Sequence, residues 1–138
     1  MKPLLSISSK FHYGNNARAG LQSKTTIEAI RRGERTSTLR FSNWQGFDRI
    51  SDKLKSNELK PGSLIRFYSE DDEVIVEVTN ITLFLKGSPY PLDQVSMTEG
   101  WSTSFLSRLF RENGSGVMIS YTPLPEYIID TDPLARFA

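Results

Sequence analysis

The residues whose types and spacing offer chemistry fall close together: Gly33, Arg35, Thr38 and Arg40 within the stretch Gly33-Glu34-Arg35-Thr36-Ser37-Thr38-Leu39-Arg40. From Thr36 onward the apolar spacing has a period of two, which predicts a strand with Thr36, Thr38 and Arg40 on one face and Ser37, Leu39 and Phe41 on the other. With Leu39 and Phe41 turned inward, the Thr38 hydroxyl is expected between the guanidinium of Arg40 and that of Arg35 just ahead of the strand. Two permanent cations around a hydroxyl suit the capture of a phosphate or a base edge, or the stabilisation of an oxyanion. The plainer readings are that the arginines pair with Glu34, Glu99 or other surface carboxylates, and that Thr38 is simply a strand former.

The elements that must position this cluster are legible on both sides of it. Thr25 followed three residues later by Glu28 forms a capping box, so a short helix begins there. Ile27 and Ile30 share its buried face, Arg31 and Arg32 load its last turn, and Gly33 supplies the left-handed residue that ends it. Ahead of the helix, Leu4 to Ser8 alternates as a first strand. The turn-rich Lys10 to Ser23 reads as a loop able to lie over a pocket. His12 is the only histidine, and a lone loop histidine is a surface residue by default.

Downstream, Phe47, Ile50 and Leu54 predict an amphipathic helix to Lys55, and Lys60-Pro61-Gly62 a turn. Ser63 to Tyr68 and Val74 to Leu85 predict two strands around the acidic tip Glu70 to Glu73; the second is long enough to bend, with a bulge expected near Thr79-Asn80. The acidic tip lacks the alternating spacing of a calcium loop and reads as a solvated turn. Leu92 to Met97 leads into Thr98-Glu99-Gly100-Trp101; Ser102 or Thr103 caps a helix to Glu112, and Val117 to Thr122 predicts a last strand.

Composition bounds the reading. The chain has 138 residues, 38% hydrophobic and 11% aromatic, enough for one domain with a core. Seventeen basic residues against sixteen acidic give a formal charge of +1, so affinity for phosphate must come from a local patch. No cysteine is present, which excludes disulfides, thiolate metal sites and a cysteine nucleophile. Neither a signal-length apolar run nor a membrane-spanning stretch appears, so a soluble cytoplasmic protein with no membrane partner is expected. The expected organisation is an α+β fold, a small mixed β-barrel with peripheral helices, over residues 1–122. An acidic tail is expected over 123–138, with Tyr127, Ile128 and Ile129 available to dock part of it.

The stretch from Gly33 to Arg40 resembles the signature of ASCH domains, relatives of the PUA-like β-barrels: a glycine, a basic residue two on, a polar residue at plus five and an arginine at plus seven, between a helix and a strand. The resemblance continues through Lys60-Pro61-Gly62-Ser63-Leu64-Ile65-Arg66-Phe67, Val76-Glu77-Val78-Thr79 and Glu99-Gly100-Trp101, covering about Thr25 to Tyr121. It implies a pocket on the barrel that binds RNA, a nucleotide or a modified nucleoside, with Arg35 and Arg40 as donors and Lys24, Trp44 and Trp101 as further ligand-binding candidates. Neither a cofactor nor a metal is implied. Some ASCH proteins are acetylcytidine amidohydrolases with a lysine, a threonine and a glutamate. In that alternative, hydrolase reading, extending to a ribonuclease, Thr38 and Glu99 are the catalytic candidates. Arg35 stands where the lysine would be, and an arginine stays charged and cannot act as the base. A third reading, an interaction protein using its acidic tail, rests on charge segregation alone.

Overall fold

The structure, a computed structural model, describes residues 2–124, so the expected acidic tail and the docking of Tyr127, Ile128 and Ile129 lie outside the described residues. In chain order the elements are β1 (Leu5–Ser8), α1 (Thr26–Arg31), β2 (Ser37–Phe41), α2 (Phe47–Lys55), β3 (Leu64–Tyr68), β4 (Glu73–Phe84), α3 (Leu92–Glu99), α4 (Thr103–Glu112) and β5 (Gly116–Pro123). The strands form one mixed sheet in the order β1-β3-β4-β5-β2, with β1 and β3 parallel and every other pair antiparallel. This α+β half-barrel does not close, because β1 and β2 are its two edges. The expected bulge is present: the register of β4 on β5 shifts between Val78 and Asn80, bending the long strand.

Local chemistry accounts for the elements around the cluster. Thr25 caps α1 by accepting the Glu28 amide, while the Glu28 carboxylate reaches one residue further back than a standard capping box, to the Lys24 amide at 3.2 Å. Gly33 adopts φ 76° just past the helix, and the chain enters β2 from there. Two apolar clusters sandwich the sheet. One joins Ile27, Ile30 and Ile50 to Ile65, Phe67 and Val76; the other joins Leu39 and Phe41 to Ala29, Val95, Trp101 and Leu106.

The acidic hairpin tip is tied down by charge rather than left bare. Asp72 pairs with Arg31, and Glu73 with Arg66 at 2.5 Å. Among the described residues no group of His, Asp and Glu side chains is placed to hold a metal ion, and no helix is long and apolar enough to cross a membrane.

Helix α3 is the element that periodicity missed. Its buried residues are Val95, Ser96 and Glu99, so the face that packs inward is mostly polar. It ends at Gly100, which takes φ 86° and donates its amide to Ser96. The chain then turns so that Trp101 bridges Ala17 in the loop after β1. That loop is pinned further by Arg18 N–H to the Gly100 carbonyl at 2.8 Å and Ser102 N–H to the Asn16 carbonyl at 2.7 Å.

A Cβ at Gly100 would stand 2.5 Å from the Tyr13 hydroxyl, in a backbone conformation that side chains resist. Gly100→Ala is therefore expected to destabilise the chain by about 2–4 kcal/mol, combining backbone strain with overpacking. Urea denaturation measures it, and a loss below about 0.5 kcal/mol, the usual range of a neutral surface change, would contradict this account.

Candidate functional site

The expected convergence of Arg35, Thr38 and Arg40 is present in the structure. Thr38 Oγ1 accepts from Arg35 Nη2 at 3.3 Å and from Arg40 Nε at 3.1 Å, so one hydroxyl sits between two guanidinium groups. Thr38 itself is fully buried.

Beneath this cluster lies a buried ion pair. Glu99, the last residue of α3, is 1% exposed; its Oε1 lies 3.5 Å from Arg35 Nη2 and accepts the Leu39 amide at 3.2 Å, and its Oε2 accepts the Ser37 hydroxyl. Arg35 is 5% exposed and also donates to the Glu99 carbonyl at 3.2 Å, which takes the Tyr13 hydroxyl at 2.7 Å as well. Tyr121 closes the far side by donating to the Ser37 carbonyl at 3.2 Å. The Leu39 amide and Arg35 approach the Glu99 oxygens as donors, while the Ser37 hydroxyl, which also bonds Thr98 Oγ1 at 2.8 Å, can act as donor or acceptor toward the carboxyl. Arg35 Nε–H is buried with no acceptor among the described residues.

Electrostatics separate the two arginines. Desolvation works against the Arg35 charge, but Glu99, backed by Tyr121 and Tyr13, more than offsets it and holds the guanidinium above its ordinary pKa. For Arg40, burial and then repulsion from Arg35 push the pKa down to about 10, still charged at neutral pH. Arg40 has no carboxylate within ion-pair distance among the described residues. Glu34, the other carboxylate the sequence offered, turns away: it accepts the Gln22 amide at 2.8 Å, the Ser23 amide at 3.0 Å and the Ser23 hydroxyl, and these bonds hold its carboxyl below the usual range. Burial pushes the Glu99 carboxyl up, with Arg35, Ser37 and the Leu39 amide pulling it back in part.

Above the pair opens a cleft of about 370 Å³. Its polar wall carries Arg35, Arg40, Glu99 and Gln45, together with Ser9 and Thr26, whose hydroxyls bond each other at 2.8 Å. Its apolar wall is Trp44, Trp101, Phe105, Leu39, Leu109 and the exposed Phe11. Trp101 packs between Tyr13 and Phe105, each ring centroid 4.5 Å away. Trp44 is fixed by its indole N–H to Asn113 Oδ1 at 2.9 Å and by Phe41 at 4.9 Å.

Thus Arg35, Arg40, Glu99, Trp44 and Trp101 all line one cleft, and Thr38 lies behind it as the hydroxyl that aligns the two arginines. Lys24 does not join them: its side chain is exposed and absent from the cleft wall, because its backbone is turned toward Glu28 at the start of α1. Sequence reasoning missed Tyr13, Ser37, Ser9 and Thr26. Ser37 alternates with Thr38 and so carried a local signal. Tyr13 meets Glu99 across 86 positions, where no local pattern reaches.

No protein-family model matches the chain, and no curated protein matches it. Among solved structures it is similar to an ASCH domain from Lactobacillus crispatus JV V101, with a TM-score of 0.50 and 15% identity over 86% of this chain and 79% of that one. A structure described as hypothetical protein PH0355 matches at a TM-score of 0.41 and 16% identity over 87% of this chain and 98% of the other, too distant to carry an argument. The fold is therefore the ASCH fold, as the spacing of Gly33, Arg35, Thr38 and Arg40 suggested. At this identity the likeness is one of fold.

Removing Glu99 strands a buried cation: Glu99→Ala is expected to cost about 3–5 kcal/mol. A second expectation concerns pH. The folded chain holds the Glu99 proton more tightly than the unfolded chain does, so the linked stability is complete below the ordinary carboxylate range. It is lost as pH rises through the raised folded-state value. Urea unfolding across that range should show this slope in the wild type and lose it in Glu99→Gln; identical slopes would contradict the assignment.

Proposed function

We propose that this protein is a binding module whose cleft takes a nucleotide, a modified nucleoside or a residue of single-stranded RNA. The observation that carries this reading is Arg40: a half-buried guanidinium without a carboxylate partner among the described residues, held at the rim of a cleft walled by two tryptophans. A flat ring can stack on the part-exposed indole of Trp44, with stacking worth about 1–3 kcal/mol per base, while the buried Trp101 closes the apolar wall behind it. The spare guanidinium N–H groups of Arg40 suit a base edge or a phosphate oxygen. The cleft's volume falls within the range of small-molecule sites. Ser9, Thr26 and Gln45 add polar groups around the ring that can discriminate one base edge from another.

Hydrolysis through Thr38 has less support. Its hydroxyl is bonded to two cations, neither able to take a proton, while Glu99 directs its oxygens to Ser37, Leu39 and Arg35 instead. Incubation with acetylcytidine or RNA should give no turnover above a Thr38→Ala control, and turnover above it would favour the hydrolase.

Arg40→Ala should weaken nucleotide or oligoribonucleotide binding by about 10- to 100-fold, the scale of a charged hydrogen bond, without loss of the folded circular dichroism spectrum. It should also flatten the salt dependence of binding. Unchanged affinity across a salt series would reject the reading.

A further inference from the structure

We propose that the cleft's ligand carries a phosphate, and that this phosphate sits in a second, smaller hollow between the two edges of the half-barrel, held by Arg40 and Arg49. The inference rests on the cleft being a nucleoside-type site, and it narrows the ligand from a nucleoside to a phosphorylated one, either a mononucleotide or a strand residue.

A hollow of about 120 Å³ lies where the sheet fails to close, bounded on one side by β1 and on the other by Arg40 and the segment from Trp44 to Ile50. It is too small for a nucleoside and large enough for a tetrahedral oxyanion. Arg40, Trp44 and Gln45 line both this hollow and the aromatic cleft, so the two are adjoining compartments that share one cation. A ligand with a ring in the cleft and a short ester arm places the arm here.

Among the described residues the charge in the hollow is of one sign. Arg49 lines it and, like Arg40, has no carboxylate within ion-pair distance among the described residues. Among the described residues no acidic side chain lines it; the polar ones are Ser6, Ser8, Gln45 and the two arginines. Among the described residues no strand lies beside the outer edge of β1, so its backbone groups face the same gap. Arg40 is also a cation that its surroundings disfavour, crowded by Arg35 and partly removed from water. An anion beside it relieves that repulsion and gains more than it would at an open surface. Two planar guanidinium groups offer the bidentate geometry that phosphate oxygens accept.

The test is calorimetric titration of the wild type and of Arg49→Ala with nucleosides, their 5′- and 3′-monophosphates, inorganic phosphate and a short oligoribonucleotide. Arg49 is exposed, so its substitution leaves the core untouched. A monophosphate is expected to bind the wild type at least about tenfold more tightly than its own nucleoside, and Arg49→Ala should collapse that ratio while Arg49→Lys restores part of it. The salt slope of the phosphorylated ligand should fall by about one in Arg49→Ala. Preference for a monophosphate over the oligoribonucleotide, or the reverse, identifies which source of phosphate the hollow accepts. Binding of inorganic phosphate with the same loss in Arg49→Ala would place the anion directly. Equal affinity for nucleosides and their phosphates in the wild type would overturn the phosphate subsite and leave the cleft reading standing. Absence of binding by every nucleoside and nucleotide would overturn both.

Discussion

The contact between Arg35 and Glu99 is the constraint from which the rest of this site follows. A carboxylate and a guanidinium, both almost wholly removed from water, are stable only if each charge meets the other and most of the remaining donors and acceptors are met locally. That requirement recruits the surrounding structure: Ser37 and the Leu39 amide from β2, the Tyr13 hydroxyl from the loop after β1, and Tyr121 from β5. It also explains why α3 can bury a polar face. The helix delivers Glu99 to the edge strand of the sheet, and Gly100 turns the chain sharply enough for Tyr13 to reach the same residue's carbonyl.

Once Arg35 is committed to the interior, the two arginines of the strand region no longer do the same work. Arg35 has a counter-charge and anchors Thr38; Arg40, aligned by that same hydroxyl, meets no carboxylate among the described residues and keeps its charge at the cleft. The buried pair thus holds a second cation at a fixed place beside two tryptophans, and a pre-positioned donor loses little freedom when a ligand arrives. The half-open sheet contributes as well. Because β1 and β2 do not pair, Arg40 stands at the gap between them rather than under a closed barrel.

Much of this was legible in the sequence because it is local. The cap at Thr25, the left-handed Gly33 and the alternation through Phe41 are short-range signals, and together they placed Arg35, Thr38 and Arg40 in the relation the structure shows. The spacing of those residues also suggested the fold that the structure has. Helix α3 was not legible, since a face made of Val95, Ser96 and Glu99 gives little apolar periodicity. Tyr13, Ser9 and Thr26 depend on which loop folds over which strand, information that resides in tertiary contacts between distant positions. Lys24 is the reverse case: it is near the cluster in sequence and charged, yet at the capped start of α1 it is not among the residues that line the cleft.

The division of labour between the two arginines is open to direct observation by nuclear magnetic resonance of the arginine Nε–H groups during titration with a nucleotide. The account predicts an Arg35 signal that is slow to exchange with water and nearly indifferent to ligand, and an Arg40 signal that shifts in proportion to occupancy. A titration in which the Arg40 signal stays still while ligand binds, or in which Arg35 exchanges as freely as a surface arginine, would contradict it.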